Sequence, residues 1–255
     1  MQKISRHDIE LLTVMTIKEL RARYKYTIFG FFWLVANPLI QMLVIGFIFT
    51  FILKEPVKYY YFHLFIGLLI WNFFSISLNK TTPSIVWERA MIKKAKFSRI
   101  ILPLSIILSN LFHFILAFLI LMIPVSFLGT FSLIRIFPLL LGFILLISFT
   151  IGLCLLTTAL NVRYRDINFF TQALLVIWFY ATPIIYSFSL IPKRLLWLWR
   201  LNPMTSILQL FHYSLLDAPP PGPAMLTSNI TVIIIVTGLG LYIFNKESKN
   251  FDDWV

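Results

Sequence analysis

Apolar residues run through this chain in six long blocks, residues 28–53, 60–78, 100–127, 136–162, 169–188 and 224–244, separated by shorter polar segments. A helix needs about 20 predominantly apolar residues to cross the hydrocarbon core of a bilayer. Each block is close to that length or longer. The first is interrupted by Asn37, Pro38 and Gln41, and the third carries Pro124 near its end. The sixth opens weakly on Thr227, Ser228 and Asn229 before a β-branched run at 230–235. The pattern predicts an all-α, polytopic membrane protein with six transmembrane helices.

Two polar segments carry structure of their own. Residues 82–97 open on Thr82-Pro83, a helix-start signal, and place their basic residues in the second half. They are too charged to span, and the reading is a short cytoplasmic helix lying along the membrane. Residues 191–225 contain Asn202-Pro203, a cap followed by a first-turn proline, then Met204, Ile207, Leu208, Phe211 and Leu215 at helical spacing. A helix ending near Leu216 is too short to cross and is expected to be re-entrant or interfacial. The run from Asp217 to Pro223, with four prolines and a glycine, then forces a turn.

Charge orients the spans. Lysine and arginine are enriched in short cytoplasmic loops. Sixteen of them fall in the N-terminal segment, the loops after the second and fourth blocks, and the tail, against six in the alternate loops. Both termini are therefore expected in the cytoplasm, which agrees with six spans. The whole chain, residues 1–255, reads as one transmembrane domain. Residues 1–27 form its N-terminal cytoplasmic or interfacial segment, 82–97 a cytoplasmic helix and 191–225 an extracytoplasmic re-entrant region. No secretory signal pattern is visible in the first 27 residues, which are mixed and charged.

Composition supports this reading. Hydrophobic residues make up 59% of the chain and charged residues 13%, about half the charged fraction of an average soluble domain. The net charge of +12 does not signal nucleic acid, because the cations flank apolar blocks, where they set topology and meet anionic headgroups. The single cysteine, Cys154, lies inside an apolar block. It excludes an intrachain disulfide and reads as a packing residue.

Candidate chemistry is sparse. All ten acidic residues lie outside the span centres, whereas proton-coupled carriers often place carboxylates mid-membrane. No Gly-Lys pair occurs, so a phosphate-binding loop for ATP is absent. Any nucleotide must be bound by a separate subunit, and this chain is expected to bind no cofactor or metal. His113 is read as bonded to a neighbouring helix. Asn37, Gln41, Asn72, Asn79, Asn110 and Gln172 could be interhelical hydrogen-bonding groups or ligands. Aromatic residues reach 17%. Tyr59, Tyr60, Tyr61, Trp197 and Trp199 fit an interfacial belt, while the deeper Trp178, Phe179 and Tyr180 could stack on sugars or face lipid.

Three segments point further. RYKYTIFGFFWLVANPL (23–39), MIKKAKFSRIILP (91–103) and LNVRYRDI (160–167) followed by YATPIIY (180–186) together resemble the polysaccharide-exporting permeases of the type-2 ABC exporters. Asn202-Pro203-Met204 falls where that family places external re-entrant helices, and the likeness covers nearly the whole chain in order. Ser98 stands where relatives commonly have proline.

The resemblance implies a homodimer of six-span subunits bound to two ATPase subunits that carry the ATP and Mg. Its substrate would be a lipid-linked polysaccharide such as O antigen, teichoic acid or capsule, moved across the bacterial cytoplasmic (inner) membrane. It implies ATPase coupling through Glu88, Arg89, Lys93 and Lys94, and a substrate path past Trp33, Trp178, Phe179, Tyr180 and Tyr186. Arg163, Arg165 and Asp166 would form an ion-paired cytoplasmic corner or meet the lipid pyrophosphate. The chain would be a transport subunit and not an enzyme. The competing readings are a membrane-embedded enzyme acting on lipid-linked sugars, which lacks paired acidic residues, and a stand-alone carrier, which the uncharged spans oppose.

Overall fold

The computed structural model describes residues 6–25, 32–52, 58–94, 97–130 and 132–251. The regular elements among them are helical: α1 (Arg6–Tyr24), α2 (Trp33–Ile52), α3 (Tyr60–Thr81), α4 (Ser84–Trp87), α5 (Arg89–Lys94), α6 (Ile101–Ser126), α7 (Ile136–Arg163), α8 (Asp166–Tyr180), α9 (Leu196–Leu201), α10 (Pro203–Leu216) and α11 (Pro223–Glu247). Among the described residues four helical stretches are long and apolar enough to cross a membrane: α3, α6, α7 with its leading 3-10 turn, and α11 with its trailing one. The helix α2, apolar over Val35–Thr50, is a shorter fifth. The expected start of the first span, residues 28–31, lies outside the described residues.

Prolines sit where helices tolerate them. Pro203 and Pro223 open α10 and α11, where the first amides have no intrahelical acceptor to lose. Pro38 and Pro124 lie inside α2 and α6, as spanning helices allow when neighbouring elements take up the freed carbonyl.

At the centre stands α3. Fourteen of its residues are buried, because it is apolar on all sides and surrounded by α2, α6, α7, α8 and α10. The main core gathers around it in packed rings: Phe74 lies parallel to Phe149 with centroids 5.6 Å apart, and Phe143 meets Phe211 at a tilt, 4.9 Å away. A second apolar cluster lies at the other end of the spans. There Met15 of α1, Ile85 of α4 and Ile92 of α5 meet Ile101, Leu102, Leu155, Ala159, Val162, Phe244 and Phe251. This cluster fastens α1 and the α4–α5 segment to three long helices at once.

The most intimate pair is α7 with α11. A Cβ built on Gly152 would lie 2.6 Å from the Thr237 Cα, and one on Gly240 would collide with the Gly152 carbonyl oxygen. Thr237 Oγ1 also donates to the Ser148 carbonyl at 3.0 Å. Lipid is as apolar as any side chain, so helices in a bilayer associate through such close backbone approach and interhelical hydrogen bonds.

Two expectations need correction. The fifth apolar block, 169–188, does not form one continuous spanning helix. The helix α8 begins earlier, at Asp166, and stops at Tyr180 after 15 residues, roughly 22 Å at 1.5 Å per residue. Pro183 disfavours helical backbone at Thr182 and cannot continue the ladder. The chain beyond folds as turns whose Ile184 and Ile185 are buried. Tyr60 Oη donates to the Ile185 carbonyl at 2.9 Å, and Gly67 leaves room for the Ile184 side chain. Irregular backbone at this depth survives because protein, not lipid, surrounds it. Second, the described part of the segment 82–97 holds not one helix but two short ones, α4 and α5, parted at Glu88, whose backbone leaves the helical region (φ −94°, ψ 25°).

As expected, the Asn202 carboxamide caps α10, its Oδ1 accepting from the Met204 amide at 3.1 Å. All residues of α10 except Gln209 and Tyr213 are buried. A helix lying in the interface would keep one face toward headgroups, so this burial favours insertion among the spans. His212 of α10 stacks on His63 of α3 with rings 3.7 Å apart, and its Nε2 lies 3.0 Å from the His63 carbonyl. Asn202 does more than cap. It accepts from Trp178 Nε1 at 2.9 Å and donates to the Thr182 hydroxyl and the Ala181 carbonyl, tying α10 to the broken end of α8. Asn202→Ala should therefore cost about 2 kcal/mol, since a buried donor left unpaired costs about 1–3 kcal/mol. Asn202→Asp keeps the acceptor and should lose less, which thermal unfolding of the detergent-solubilised protein can rank. Equal melting of the alanine variant and the parent would remove Asn202 as the joint.

Candidate functional site

Spacing along three helices builds a polar cavity inside the apolar bundle. Trp33, Asn37 and Gln41 recur every fourth residue and share one face of α2, and Asn110, His113 and Ala117 share one face of α6. Leu69, Asn72, Phe73 and Ile76 supply the facing side of α3. These residues and Pro38, Phe114 and Arg23 line a half-open cavity of about 380 Å³.

Arg23 is the unexpected member. It stands in the last turn of α1, where a cation complements the helix dipole, and α1 lies along α6. Its Nη2 donates to Asn110 Oδ1 at 2.9 Å, and its Nη1 lies 3.1 Å from His113 Nδ1. Asn110 in turn donates to the Ser77 hydroxyl at 3.2 Å, and Asn72 donates to Gln41 Oε1 at 3.2 Å. Polar groups within a bundle are costly unless they bond one another, and here they bond in two sets, Arg23 with His113, Asn110 and Ser77, and Asn72 with Gln41. His113 is bonded to a neighbouring helix, as its sequence position suggested. The partner, 90 residues away, was not foreseen. The amides at 41, 72 and 110 act as interhelical glue while also lining a space a ligand could enter.

Lys80, near the end of α3, adds a second positive charge close to Arg23. Its ammonium lies 3.9 Å from Glu19 of α1. Among the described residues no carboxylate comes within 4 Å of the Arg23 guanidinium, which rests on neutral acceptors.

The other residues singled out from the sequence are dispersed. Glu88 is paired with Lys18 of α1 at 2.9 Å. Arg89, Lys93 and Lys94 are exposed on α5, whose Ile92 faces the second apolar cluster. Trp33 is exposed at the cavity. Trp178 is half-buried, edge-on to Phe74 and Phe149, with its only N–H donor given to Asn202. The Phe179 ring lies 5.6 Å from that of Trp71. Tyr180 is exposed, and Tyr186 donates to the Tyr180 carbonyl while accepting from Trp199 Nε1. At the α7–α8 corner the Arg163 guanidinium covers the Tyr164 ring at 5.2 Å, and Arg165 and Asp166 are exposed. The bond that closes this corner is between the Asn168 amide and Asn161 Oδ1, at 3.1 Å.

These features define a multi-pass α-helical membrane protein with a half-open cationic cavity between its apolar helices. Over residues 10–216 the sequence matches the ABC-2 type transporter family, and the chain belongs to that family. It is a membrane transport subunit of that family. It is 31% identical over 252 residues to the O-antigen export system permease protein RfbA of Klebsiella pneumoniae, covering 95% of this chain and 93% of that one. It is also 29% identical over 244 residues to the protein of the same name in Myxococcus xanthus, covering 93% of each.

Proposed function

We propose that this chain is the permease of an O-antigen export system in a bacterial inner membrane, passing lipid-linked polysaccharide outward with energy from a separate ATPase. The observation that carries this reading is similarity spread over 93% of both chains to two permeases of that designation in different bacteria. The complex is a homodimer of this chain with two ATPase subunits, which hold the ATP and Mg. The spans number six, with α8 and the turns after it together making the fifth passage, and both termini are cytoplasmic.

In this reading α4 and α5 dock on the ATPase, with Glu88, Arg89, Lys93 and Lys94 at the contact. The second apolar cluster supports that role, since it joins Ile85 and Ile92 to α1, α6, α7 and α11. A push on α5 then moves long helices as rigid bodies. Trp33 and Tyr180, both exposed, are the best placed of the five aromatic residues to meet sugar. Trp178 and Tyr186 support the walls through their hydrogen bonds. Arg163, Arg165 and Asp166 form a cytoplasmic corner at the membrane surface.

Affinity purification of the tagged chain from mildly solubilised native membranes tests this directly. A stoichiometric ATPase is expected by mass spectrometry, and deletion of the chain should leave O antigen inside the cell. Reproducible absence of an ATPase with the chain intact, or normal surface O antigen in the deletion strain, contradicts the proposal.

A further inference from the structure

We propose that the cavity between α1, α2, α3 and α6 binds the phosphate of a glycosyl phospholipid headgroup, with Arg23 as its cationic anchor and the amides of α2 and α3 receiving the attached sugar. The sugar half of this assignment rests on the export reading. The phosphate half rests on the cavity itself.

Buried charges are normally paired. Here a half-buried guanidinium is held by Asn110 and His113, both at least nine-tenths buried, and neither carries a formal negative charge in that contact. Lys80 adds positive charge nearby, and the closest carboxylate contact, that of Glu19, is to Lys80. Among the described residues the site therefore has an excess of positive charge, in a half-open cavity between apolar helices. Guanidinium carries five N–H donors, so the two contacts made among the described residues leave three. Arginine presented this way suits phosphate, whose oxygens accept in pairs.

The rest of the lining extends the site beyond a bare anion. Asn37 is exposed, and the Asn72–Gln41 pair lies alongside it. Carboxamides both donate and accept, which matches sugar hydroxyls. Trp33, 42% exposed at the same cavity, offers a flat amphipathic ring for a sugar face. The volume of about 380 Å³ falls within the range of roughly 300–1,000 Å³ usual for small-molecule sites. It is large enough for a headgroup and too small for a polysaccharide. Because α1 supplies the anchor and also belongs to the cluster holding α4 and α5, headgroup binding would be felt at the proposed ATPase contact.

The test uses the full complex with its ATPase in phosphatidylcholine nanodiscs, with radiolabelled farnesyl-pyrophosphoryl-N-acetylglucosamine as the probe. Arg23→Gln, which keeps donors but not charge, should weaken binding about tenfold or more, and Arg23→Lys should recover most of it. Arg23 also joins α1 to α6, so a second variant guards against misfolding. Asn37→Leu leaves that joint intact and should weaken the probe about threefold without changing displacement by inorganic pyrophosphate. Unchanged probe affinity in a monodisperse Arg23→Gln complex overturns the site. Displacement by phosphatidylglycerol as effective as by the probe overturns the glycosyl assignment and leaves a phosphate site for ordinary lipid. Co-purification of the ATPase is scored separately. Its absence contradicts the export reading, while headgroup binding stays measurable on the chain alone.

Discussion

Gly240→Val should abolish accumulation of folded protein in the membrane. A side chain at Gly240 meets the Gly152 carbonyl oxygen, and its Cβ would stand 3.1 Å from the Gly152 Cα. Both are backbone atoms, so no rotamer change on α7 relieves the contact. The reciprocal change, Gly152→Val, drives a Cβ to 2.6 Å from the Thr237 Cα. The helices must separate, and separation also breaks the bond from Thr237 to the Ser148 carbonyl. Overpacking usually costs about 1–3 kcal/mol and can cost more. With rigid backbone on both sides the upper end applies, a large share of the roughly 5–15 kcal/mol that holds a typical protein folded. Gly238 supplies the control. A Cβ there meets nothing within 4 Å, so Gly238→Ala should accumulate normally. Fluorescence-detected size exclusion of tagged variants measures both, and a monodisperse Gly240→Val peak at parental height would refute the packing argument.

The second large effect concerns transmission. Arg89→Glu combined with Lys94→Glu should reduce O-antigen export by tenfold or more while the chain stays in the membrane at its normal level. Both residues are exposed on α5, so little folding energy depends on them, and single surface ion pairs are worth only about 0.2–1 kcal/mol. Like charges brought together at a protein contact cost several kcal/mol, and each kcal/mol matters because 1.4 kcal/mol is tenfold in an equilibrium. Glu88, held by Lys18 of α1, is left untouched so that α4 and α5 keep their place. Surface O antigen measured alongside ATPase co-purification decides the matter, and unchanged export removes α5 from the coupling path.

Much of this protein was legible without its structure, and the reasons are local. Apolar blocks at 60–78, 100–127, 136–162 and 224–244 coincide with α3, α6, α7 and α11 to within a few residues, because helix length in a bilayer is dictated by hydrocarbon thickness. The Asn202-Pro203 pair marked the start of α10 because capping is settled by neighbouring atoms. The fifth block misled because hydropathy alone does not distinguish a spanning helix from apolar turns sheltered by protein. Thr182-Pro183 was the signal for the break, and it carried more weight than the apolar residues after it. Arg23 was visible only as one of many cations flanking a span. Asn110 and His113, three residues apart on one helical face, hinted at a polar surface but not at what would meet it.

By itself, the sequence determined that this chain lives in a bilayer, where most of its long helices begin and end, and that the span centres carry no acidic residues. Those properties depend on solvent and on residues within a turn or two. The tertiary structure alone decided that α1 folds back to set Arg23 beside Asn110 and His113, that α10 is buried among the long helices, and that Gly152 and Gly240 meet. Each joins residues tens of positions apart through side-chain shape and hydrogen-bond direction, which no local pattern specifies.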